Sequence, residues 1–408
     1  MINRELYMGQ LLDFKDKDVV KVITGVRRCG KSTLLELFKL HLKGCGIPDE
    51  RIVHINFDTA KYDYLLDGKA MWEYIHERVS QTETTYILLD EIQLVSEWEY
   101  YVNSLRIDCK SDIYVTGSNA DLLATHRSAR LAGRCVSIKM LPLSFKEYLL
   151  FNPIEETNSR VERDYFHKEK FEDYRRYGGM PFAAQAVKSE PIIAPYLLDI
   201  FDAVMSRDVI ERNAVADPAL LRTIAGFLVD NISGTVSTKK ISGYLTSIGR
   251  KADSDVIDNY LNMLVDAFLF YGVKRYDIKG KLNLETLGKY YFVDTGMRNA
   301  LLGYRETDYG HVLENIIYFE LLRRYERVYI GKQNGYEVDF VVDSFNDRKY
   351  YQVAAAVMDE TTFQRERRPL EDISDNYEKV ILTMDNRDSI PQRNGIKLVN
   401  IIDFLLQP

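Results

Sequence analysis

The stretch "VVKVITGVRRCGKSTLLELFKL", residues 19–40, begins with an apolar run and continues through a glycine-flanked loop into a segment with apolar residues at helical spacing. Such a run is typical of a buried strand, and the segment after the loop predicts a helix. Short runs rich in Val and Ile recur up to about residue 144 and alternate with helical patterns. These runs are "RIVHINF", "TYILLDE", "DIYVTGS" and "CVSIKML". The alternation predicts an α/β domain with a buried parallel sheet.

Length and composition limit the class of protein. With 408 residues, the chain is long enough for two or three domains. Its 46% apolar and 28% charged residues are close to the globular average and argue against wholesale disorder. The sequence has no apolar run of the roughly 18–20 residues that span a bilayer, and its charged start lacks the apolar core of a secretory signal. We expect a cytosolic protein without a membrane partner.

Charge and cysteine usage narrow the partners. A net charge of −7 argues against a protein that coats nucleic acid along its whole surface, but a local basic patch is compatible with it. The cysteines are scattered, without a C-x-x-C pair, so the sequence predicts neither a zinc site nor a disulfide framework. They are Cys29, Cys45, Cys109 and Cys135.

The loop after the first predicted strand carries a phosphate-binding pattern. Gly25, Gly30, Lys31 and Ser32 satisfy G-x-x-x-x-G-K-[ST] between a strand and a helix, which is the context that makes this pattern meaningful. The loop amides would face the phosphates of ATP, Lys31 would reach the β- and γ-phosphates, and the Ser32 hydroxyl would bind Mg²⁺. The predicted cofactor-binding residues are Gly25, Val26, Arg27, Arg28, Cys29, Gly30, Lys31, Ser32 and Thr33.

A second predicted strand, "YILLDEIQ", ends in two acidic residues. We expect Asp90 to hold Mg²⁺, usually through water, and Glu91 to polarise the attacking water as the catalytic base. Lys31 joins Glu91 as a catalytic candidate because it would contact the transferred phosphate. The alternative is a pair of surface acids at the end of a strand.

Further catalytic candidates follow the next strand. Ser118 and Asn119 end "DIYVTGSNA", where a γ-phosphate or the attacking water can be sensed, and Asn119 is the catalytic candidate of the two. The segment "THRSARLAGR" then offers Arg127, Arg130 and Arg134. A guanidinium from this segment, with Arg134 as the candidate, would stabilise charge on the γ-phosphate in cis or from a neighbouring subunit. The alternative is a solvated basic loop.

The sequence changes character near residue 150, where a polar and charged stretch suggests a domain boundary. Helical patterns continue to about residue 270. One of them, with Ser254 as N-cap, has an apolar face of Val256, Ile257, Tyr260, Leu261, Leu264, Val265, Phe268 and Leu269. It runs into "YGVKRYDIKGKLNL", whose Lys-Gly turn predicts a hairpin, and a helix followed by a hairpin indicates a winged helix. Strand signals resume at residue 290, so we predict a P-loop domain at 1–150, a helical lid and winged-helix region at 151–289, and a mixed α/β domain at 290–408.

These segments together resemble a known family. "VITGVRRCGKSTLL", "YILLDEIQ", "VTGSNADLL" and "LPLSFKEYL" are similar to the prokaryotic AAA-type P-loop ATPases that are fused to a C-terminal domain of unknown function, DUF4143. "YGGMP", "KYYFVDTGMRNALLG", "LENIIYFELLRR" and "EVDFVV" resemble the C-terminal portion. The resemblance implies an additional-strand P-loop core, in which one strand separates the Asp90 strand from the phosphate-loop strand. It also implies a winged helix and a restriction-nuclease-like α/β domain.

A nuclease of the PD-(D/E)xK type needs a helix Glu, a strand Asp and a (D/E)-x-K strand to bind Mg²⁺ and activate water. Glu314 and Asp339 match the first two positions, but Gln352 and Ala354 stand where the second acid and the lysine belong. Glutamine can still offer an oxygen to a hard cation, whereas alanine cannot position a hydroxide. We therefore expect Glu314, Asp339 and Gln352 to form a vestigial nuclease site.

DNA binding through the winged-helix region is a separate hypothesis. Its helix after Ser254 is acidic and carries no Lys or Arg, so it is a poor fit to a groove lined with phosphates. Basic residues lie beside it and on the hairpin, and they make backbone contact through the wing conceivable. They are Lys239, Lys240, Arg250, Lys251, Lys274, Arg275, Lys279 and Lys281. A protein-contact or packing role for this region is the alternative.

Cys29 within the loop allows two interpretations. Flanking Arg27 and Arg28 would lower its pKa and favour redox control, or a small residue simply fills the loop. For the whole chain, the leading hypothesis is an ATPase that uses Mg²⁺ and moves its C-terminal part or a bound partner. The alternatives are a nucleotide-gated DNA- or protein-binding module with little turnover and, less favoured, a metal-dependent DNA nuclease. Assembly into an oligomer is compatible with each of them.

Overall fold

The computed structural model describes residues 2–118, 131–153, 159–280, 282–344, 347–385 and 395–407. The chain forms two compact units. The first comprises Met1–Pro142 and Asp266–Phe268, and the second comprises Leu143–Val265 and Leu269–Pro408. The division into three domains stays a prediction, and strand β7 of the second unit (Leu282–Phe292) runs across its proposed boundary at residue 289.

The first unit is built on a parallel five-stranded sheet with the order β2-β3-β4-β1-β5. Its strands are β1 (Val20–Thr24), β2 (Ile52–Asn56), β3 (Thr85–Asp90), β4 (Ser111–Gly117) and β5 (Cys135–Lys139). All five coincide with the apolar runs, and β4 separates β3 from β1, as predicted. Every residue of β1 and β3 is buried, because helices cover both faces of such a sheet.

Helices of the first unit pack their apolar residues against this sheet. They are α1 (Glu5–Asp13), α2 (Lys31–Gly44), α3 (Gly68–His76) and α4 (Trp98–Asp108). Helix α2 follows β1 after a six-residue loop and buries Leu34, Leu35, Phe38 and Leu42 along one face. Each such side chain contributes about 1.5–3 kcal/mol. Since β1 and α2 are both anchored in the core, the ends of the loop between them are fixed.

Helices precede the sheet in the second unit. They are α5 (Phe145–Phe151), α6 (Arg160–Tyr177), α7 (Pro181–Gln185), α8 (Glu190–Ala203), α9 (Pro218–Asp230), α10 (Thr238–Ser247) and α11 (Ser254–Asp266). A π-helical segment, Val204–Glu211, continues α8. Ser254 is the first residue of α11 rather than its N-cap, and the helix buries Ile257, Tyr260, Leu261 and Leu264 of its predicted apolar face.

The sheet of the second unit has seven strands in the order β12-β11-β10-β9-β8-β6-β7. They are β6 (Phe270–Asp277), β7 (Leu282–Phe292), β8 (Arg327–Gln333), β9 (Tyr336–Ser344), β10 (Asp347–Ala354), β11 (Glu378–Thr383) and β12 (Ile396–Asn400). Strands β6 and β7 form the predicted antiparallel hairpin. Strands β8, β9 and β10 form an antiparallel meander, and β11 and β12 continue the sheet parallel to β10. The remaining helices are α12 (Thr295–Leu302), α13 (Tyr309–Arg324), α14 (Glu360–Glu371) and α15 (Ile401–Leu406).

Candidate nucleotide-binding site

The loop between β1 and α2 needs glycine at its ends. Gly25 has φ 155° and Gly30 has φ 109°, both in the region that favours glycine. A Cβ atom on Gly25 would lie 2.1 Å from the carbonyl oxygen of Met140. A side chain at Gly25 is therefore excluded by the backbone that runs beside the loop.

The side chain of Lys31 bonds back to the start of this loop. Although it is the first residue of α2, its side chain is 4% exposed, and its Nζ donates hydrogen bonds to the carbonyl oxygens of Gly25 (3.0 Å) and Val26 (3.2 Å). Ser32 and Thr33, which follow it, are exposed. Gly30 brings no capping side chain, and the first turn of α2 has no acidic residue. The amides of this helix N-terminus, its dipole and the ammonium together suit an anion such as a phosphate.

Asp90 ends β3 and is 1% exposed. Its carboxylate accepts hydrogen bonds from the Asn56 side chain (Nδ2 to Oδ2, 3.0 Å) and from the Thr116 hydroxyl. Asn56 ends the neighbouring strand β2, and Thr116 lies in β4 on the other side. The two strands that flank β3 thus fix the orientation of this acid.

Glu91 adopts a left-handed backbone conformation (φ 55°, ψ 45°) directly after Asp90. Its backbone N–H donates to the Thr116 hydroxyl at 3.0 Å, and its carboxylate accepts a hydrogen bond from Gln93. Burial raises the pKa of the Cys29 thiol, Lys31 lowers it, and the Glu91 carboxylate contributes to raising it. Glu91 therefore lies within electrostatic range of the phosphate loop.

The arrangement fits ATP with Mg²⁺. The phosphate loop follows the carboxyl end of β1, and Asp90 and Glu91 lie at the carboxyl end of β3. Both ends belong to the same edge of the parallel sheet, which is where ligands of such sheets bind. The loop amides, Lys31 and Thr33 would hold phosphates, while Ser32 and Asp90 would hold Mg²⁺. Buried Asp90 already accepts two protein hydrogen bonds, which suits the water-mediated contact predicted for it.

Arg4 connects this loop to the segment after β5, and nothing in the sequence singled it out. It is 5% exposed, and its guanidinium donates to the carbonyl oxygens of Cys29 (3.2 Å), Leu141 (2.8 Å) and Pro142 (3.2 Å). Tyr7, one helical turn later, accepts a hydrogen bond from the Leu141 N–H at 3.0 Å. The amino-terminal helix therefore braces the loop.

The structure contradicts the redox interpretation of Cys29. The thiol is fully buried and lies 3.6 Å from the Met140 carbonyl oxygen. Burial raises its pKa, and the cations that oppose this rise are Lys31 and Arg4 rather than Arg27 and Arg28. Cys29 thus fills space in the loop, as the simpler alternative held.

Arg134 is not brought to the loop within the chain. It directly precedes β5, and its carbonyl accepts from the N–H of Val20 (2.9 Å) at the amino end of β1. The loop leaves the carboxyl end of β1, about 16 Å away along five extended residues. Of the two alternatives, action in cis and action from another subunit, this position favours the second, which stays a proposal; Arg134 is exposed. Asn119, Arg127 and Arg130 lie outside the described residues, and Ser118 is buried at the end of β4.

The C-terminal candidates do meet in the second unit. Glu314 on α13, Asp339 on β9 and Gln352 on β10 are each 8% exposed. The Gln352 Oε1 atom accepts from the Asp339 N–H (3.3 Å), and the Asp339 Oδ2 atom accepts from the Val353 N–H (2.8 Å). Their roles stay predictions.

Lys289 is the residue that sequence reasoning missed at this cluster. Its Nζ lies 2.8 Å from Glu314 Oε1, 2.7 Å from Glu337 Oε1 and 3.9 Å from Asp339 Oδ1. The only signal in the sequence was a lysine within the apolar strand "KYYFVD".

Within the described ranges, no group of three or more His, Cys, Asp or Glu side chains is arranged to hold a metal. The helices in those ranges also include none with the length and apolarity needed to cross a membrane.

Family models match two parts of the chain. Residues 17–149 match an AAA domain, which confirms the P-loop core. Residues 168–308 match a domain of unknown function, DUF8612. That model differs from the DUF4143 named by the resemblance, so the DUF4143 and nuclease-like assignments are not confirmed.

Solved structures give weaker likenesses. The Walker-type ATPase PABY2304 of Pyrococcus abyssi is 14% identical with a TM-score of 0.49, covering 74% of this chain and 96% of that one. The Orc1 protein of Aeropyrum pernix, in complex with DNA, is 12% identical with a TM-score of 0.33, covering 74% and 92%. Likenesses at these TM-scores carry no conclusion about function.

Two relatives share more of their sequence with this chain. An uncharacterized protein of Haemophilus influenzae is 39% identical over 408 residues, covering 100% of this chain and 99% of that protein. The uncharacterized protein MJ1544 of Methanocaldococcus jannaschii is 30% identical over 384 residues, covering 90% and 80%. The chain therefore belongs to the same family as these two proteins, and it carries a P-loop AAA domain followed by the domain of unknown function DUF8612.

Proposed function

We propose that the protein binds and hydrolyses ATP at the edge of the first sheet and that turnover acts on the second unit. The observation that supports hydrolysis is the Thr116 hydroxyl, which donates to Asp90 and accepts from the N–H of Glu91. This one hydroxyl orients a metal-binding acid and the acid beside it. A site that only bound nucleotide would not need Glu91.

Each residue has a defined task in this proposal. Lys31 neutralises charge on the transferred phosphate, and Glu91 accepts a proton from the attacking water. Asp90 and Ser32 hold Mg²⁺, which when bound neutralises phosphate charge. Arg134 stabilises charge from a neighbouring copy, which requires an oligomer.

The link to the second unit rests on the connecting segment, which we define as Met140–Pro142. This segment leads directly into the second unit at Leu143. Gly25 and Cys29 of the loop both approach the Met140 carbonyl oxygen, and Arg4 bonds both the loop and the segment. A change in the loop on nucleotide binding would therefore move the residues where the chain leaves the first unit.

A DNA- or protein-binding role of the second unit is the finer part of the proposal. Helices α9, α10 and α11, followed by the hairpin β6–β7, have the order of a winged helix. A bridge between Thr235 and Lys289 adds the short strand expected before the second helix. Lys274 and Lys279 are exposed on the hairpin, whereas α11 exposes Asp255 and Asp258. Contact with a DNA backbone would thus come from the hairpin rather than from α11.

The ATPase rate of the purified protein tests hydrolysis. Lys31→Ala should abolish binding or turnover, and Glu91→Gln should bind ATP as the native protein does while turnover falls at least about 100-fold. Glu99→Gln, at an acid near the start of α4, is the matched control and should keep the native rate. Unchanged turnover in both Lys31→Ala and Glu91→Gln would contradict the proposal.

Two further measurements test the partners. DNA affinity should depend on nucleotide and fall as salt rises, and Lys274→Gln with Lys279→Gln should weaken it. Affinity that changes with neither nucleotide nor salt would exclude DNA as the ligand.

For the subunit contact, Lys31→Ala and Arg134→Ala proteins should each be inactive, and their mixture should regain turnover. A mixture without activity would argue against Arg134 acting in trans.

A further inference from the structure

The side chain of Lys289 lies at the centre of the acidic cluster in the second unit. It is on β7, whereas its partners come from α13 (Glu314) and β9 (Glu337, Asp339). Lys289 is 4% exposed. A buried ammonium is costly unless it is paired, and here two carboxylate oxygens lie within 2.8 Å of it, with a third at 3.9 Å.

One carboxylate oxygen of Glu314, one of Asp339 and the amide oxygen of Gln352 accept hydrogen bonds from the protein. Glu314 Oε1 accepts from Lys289 and also from the Tyr291 hydroxyl at 2.7 Å. Asp339 Oδ2 accepts from the Val353 N–H, and Gln352 Oε1 accepts from the Asp339 N–H. The amide nitrogen of Gln352 donates to Glu366 at 2.9 Å. The cluster is a network of hydrogen bonds and ion pairs around one cation, and the side chain of Glu337 is the partly exposed acid in it.

The pKa shifts within the cluster also indicate that the Lys289 ammonium stabilises these acids. Burial by itself lowers the pKa of Lys289, but Glu314, Asp339 and Glu337 outweigh burial and raise the pKa above its ordinary value. Burial raises the pKa of Asp339 well above its ordinary value, Glu314 raises it further, and Lys289 opposes this rise. The ammonium is therefore the charge that lets these acids share a buried space.

We propose that the Lys289 ammonium occupies the position of a divalent cation among Glu314, Asp339 and Gln352, so that the cluster is a permanent tie between β7, α13 and β9 rather than a hydrolytic centre. A hydrolytic centre needs a cation that also reaches water and substrate. Here the cation belongs to the chain and is 4% exposed, and Glu314 and Asp339 are each 8% exposed, while the side chain of Glu337 is 38% exposed. The inference is independent of ATP hydrolysis, because every residue in it belongs to the second unit.

Hydrogen exchange of the full-length protein, read by mass spectrometry on peptides from β9 and β10, tests the tie. Lys289→Met should speed exchange there on the order of 100-fold, because it leaves buried carboxylates without their cation. Lys289→Met combined with Glu314→Gln should recover part of this loss. Lys168→Met, at an exposed lysine of α6 in the same unit, should leave exchange in β9 and β10 at the native rate. Exchange in Lys289→Met equal to that of the native protein would overturn the proposal.

A cation titration tests the substitution itself. Without nucleotide, Mn²⁺ should slow exchange in β9 and β10 of Lys289→Ala, and adding Asp339→Asn should remove that effect. Mn²⁺ should leave the same peptides of the native protein unchanged. Protection of the native peptides by Mn²⁺, nicking of plasmid DNA that Asp339→Asn abolishes, or failure of Mn²⁺, Mg²⁺ and Ca²⁺ alike to protect Lys289→Ala would each overturn it.

Both tryptophans, Trp72 and Trp98, lie in the first unit. Their fluorescence shows whether that unit stays folded in each variant. If Lys289→Ala does not fold, the Lys289→Met and Glu314→Gln pair still decides, because the proposal requires the double variant to be better protected than Lys289→Met.

Discussion

The backbone N–H of Glu91 donates a hydrogen bond to the hydroxyl of Thr116 at 3.0 Å, and the same hydroxyl donates to Asp90. Thr116→Val keeps the shape of the side chain but removes both bonds. Loss of a hydrogen bond to a charged group costs about 1.5–3 kcal/mol. We expect kcat for ATP to fall by roughly 10-fold or more, with little change in KM, because phosphate binding rests on the loop.

Thr116→Ser is the matched control, since it keeps the hydroxyl and loses only a methyl group. It should retain most of the native kcat. A Thr116→Val enzyme with native kcat would show that the hydroxyl does not orient Glu91 for turnover.

Arg4→Met should weaken the coupling between ATP binding and the second unit without changing any residue of the phosphate loop. Methionine fills the space of the side chain but cannot donate to Cys29, Leu141 or Pro142. The measurement compares hydrogen exchange beyond residue 143 with and without ATP in the Glu91→Gln background. The ATP-dependent difference should shrink in Arg4→Met. Full retention of that difference would contradict the role given to the connecting segment.

Asp294 gives the second unit a pH dependence. Burial raises its pKa to about 6 from an ordinary 3.8, although backbone N–H groups of Met297 and Gly179 oppose the rise. Between these values the folded state binds more protons than the unfolded state. The free energy of unfolding therefore falls as pH rises from about 4 to about 6, by about 3 kcal/mol from this group, and the loss is complete above that window.

Asp294→Asn removes this titration and is compared with the native protein across the same window. Hydrogen exchange of α12, measured at the two ends of the window, follows the second unit. Relative to the native protein, the variant should gain stability as pH rises through the window. A difference between the two proteins that is constant with pH would refute the assignment.

Lys21 and Asp112 form an ion pair inside the first sheet, where they are 0% and 2% exposed. Asp112→Asn leaves the ammonium without its carboxylate and should lower the free energy of unfolding by about 3–5 kcal/mol. Lys21→Met combined with Asp112→Asn should lose less. Urea unfolding followed by tryptophan fluorescence reports this unit, and an unchanged midpoint in Asp112→Asn would contradict the prediction.

Local patterns predicted the first unit well. Its strands are continuous apolar runs, and the phosphate loop lies between one such run and an amphipathic helix, so nearest-neighbour sequence carries the information. Asp90 and Glu91 followed from their place at a strand end. The family model over residues 17–149 confirms the AAA core, whereas the individual roles of these residues stay predictions.

The sequence patterns did not predict the long-range contacts. Arg4 meets Leu141 across 137 positions and Lys289 meets Glu314 across 25, and no periodicity links such residues. The sequence left open whether Arg134 acts in cis, because its distance from the loop depends on which end of β5 it occupies. That follows from the parallel pairing of β5 with β1, which no local pattern shows.

Strand β7 pairs with β6, and β6 in turn pairs with β8, so the hairpin and the C-terminal strands form one sheet. A fragment that started at residue 290 would lose most of β7 and all of β6. Because β6 pairs with β8, β8 would then be an unpaired edge strand that is prone to aggregation. A recombinant C-terminal fragment should therefore start before Phe270. Gene fusions that exchanged this part of the molecule would meet the same requirement, so the hairpin and the strands after it would be inherited together.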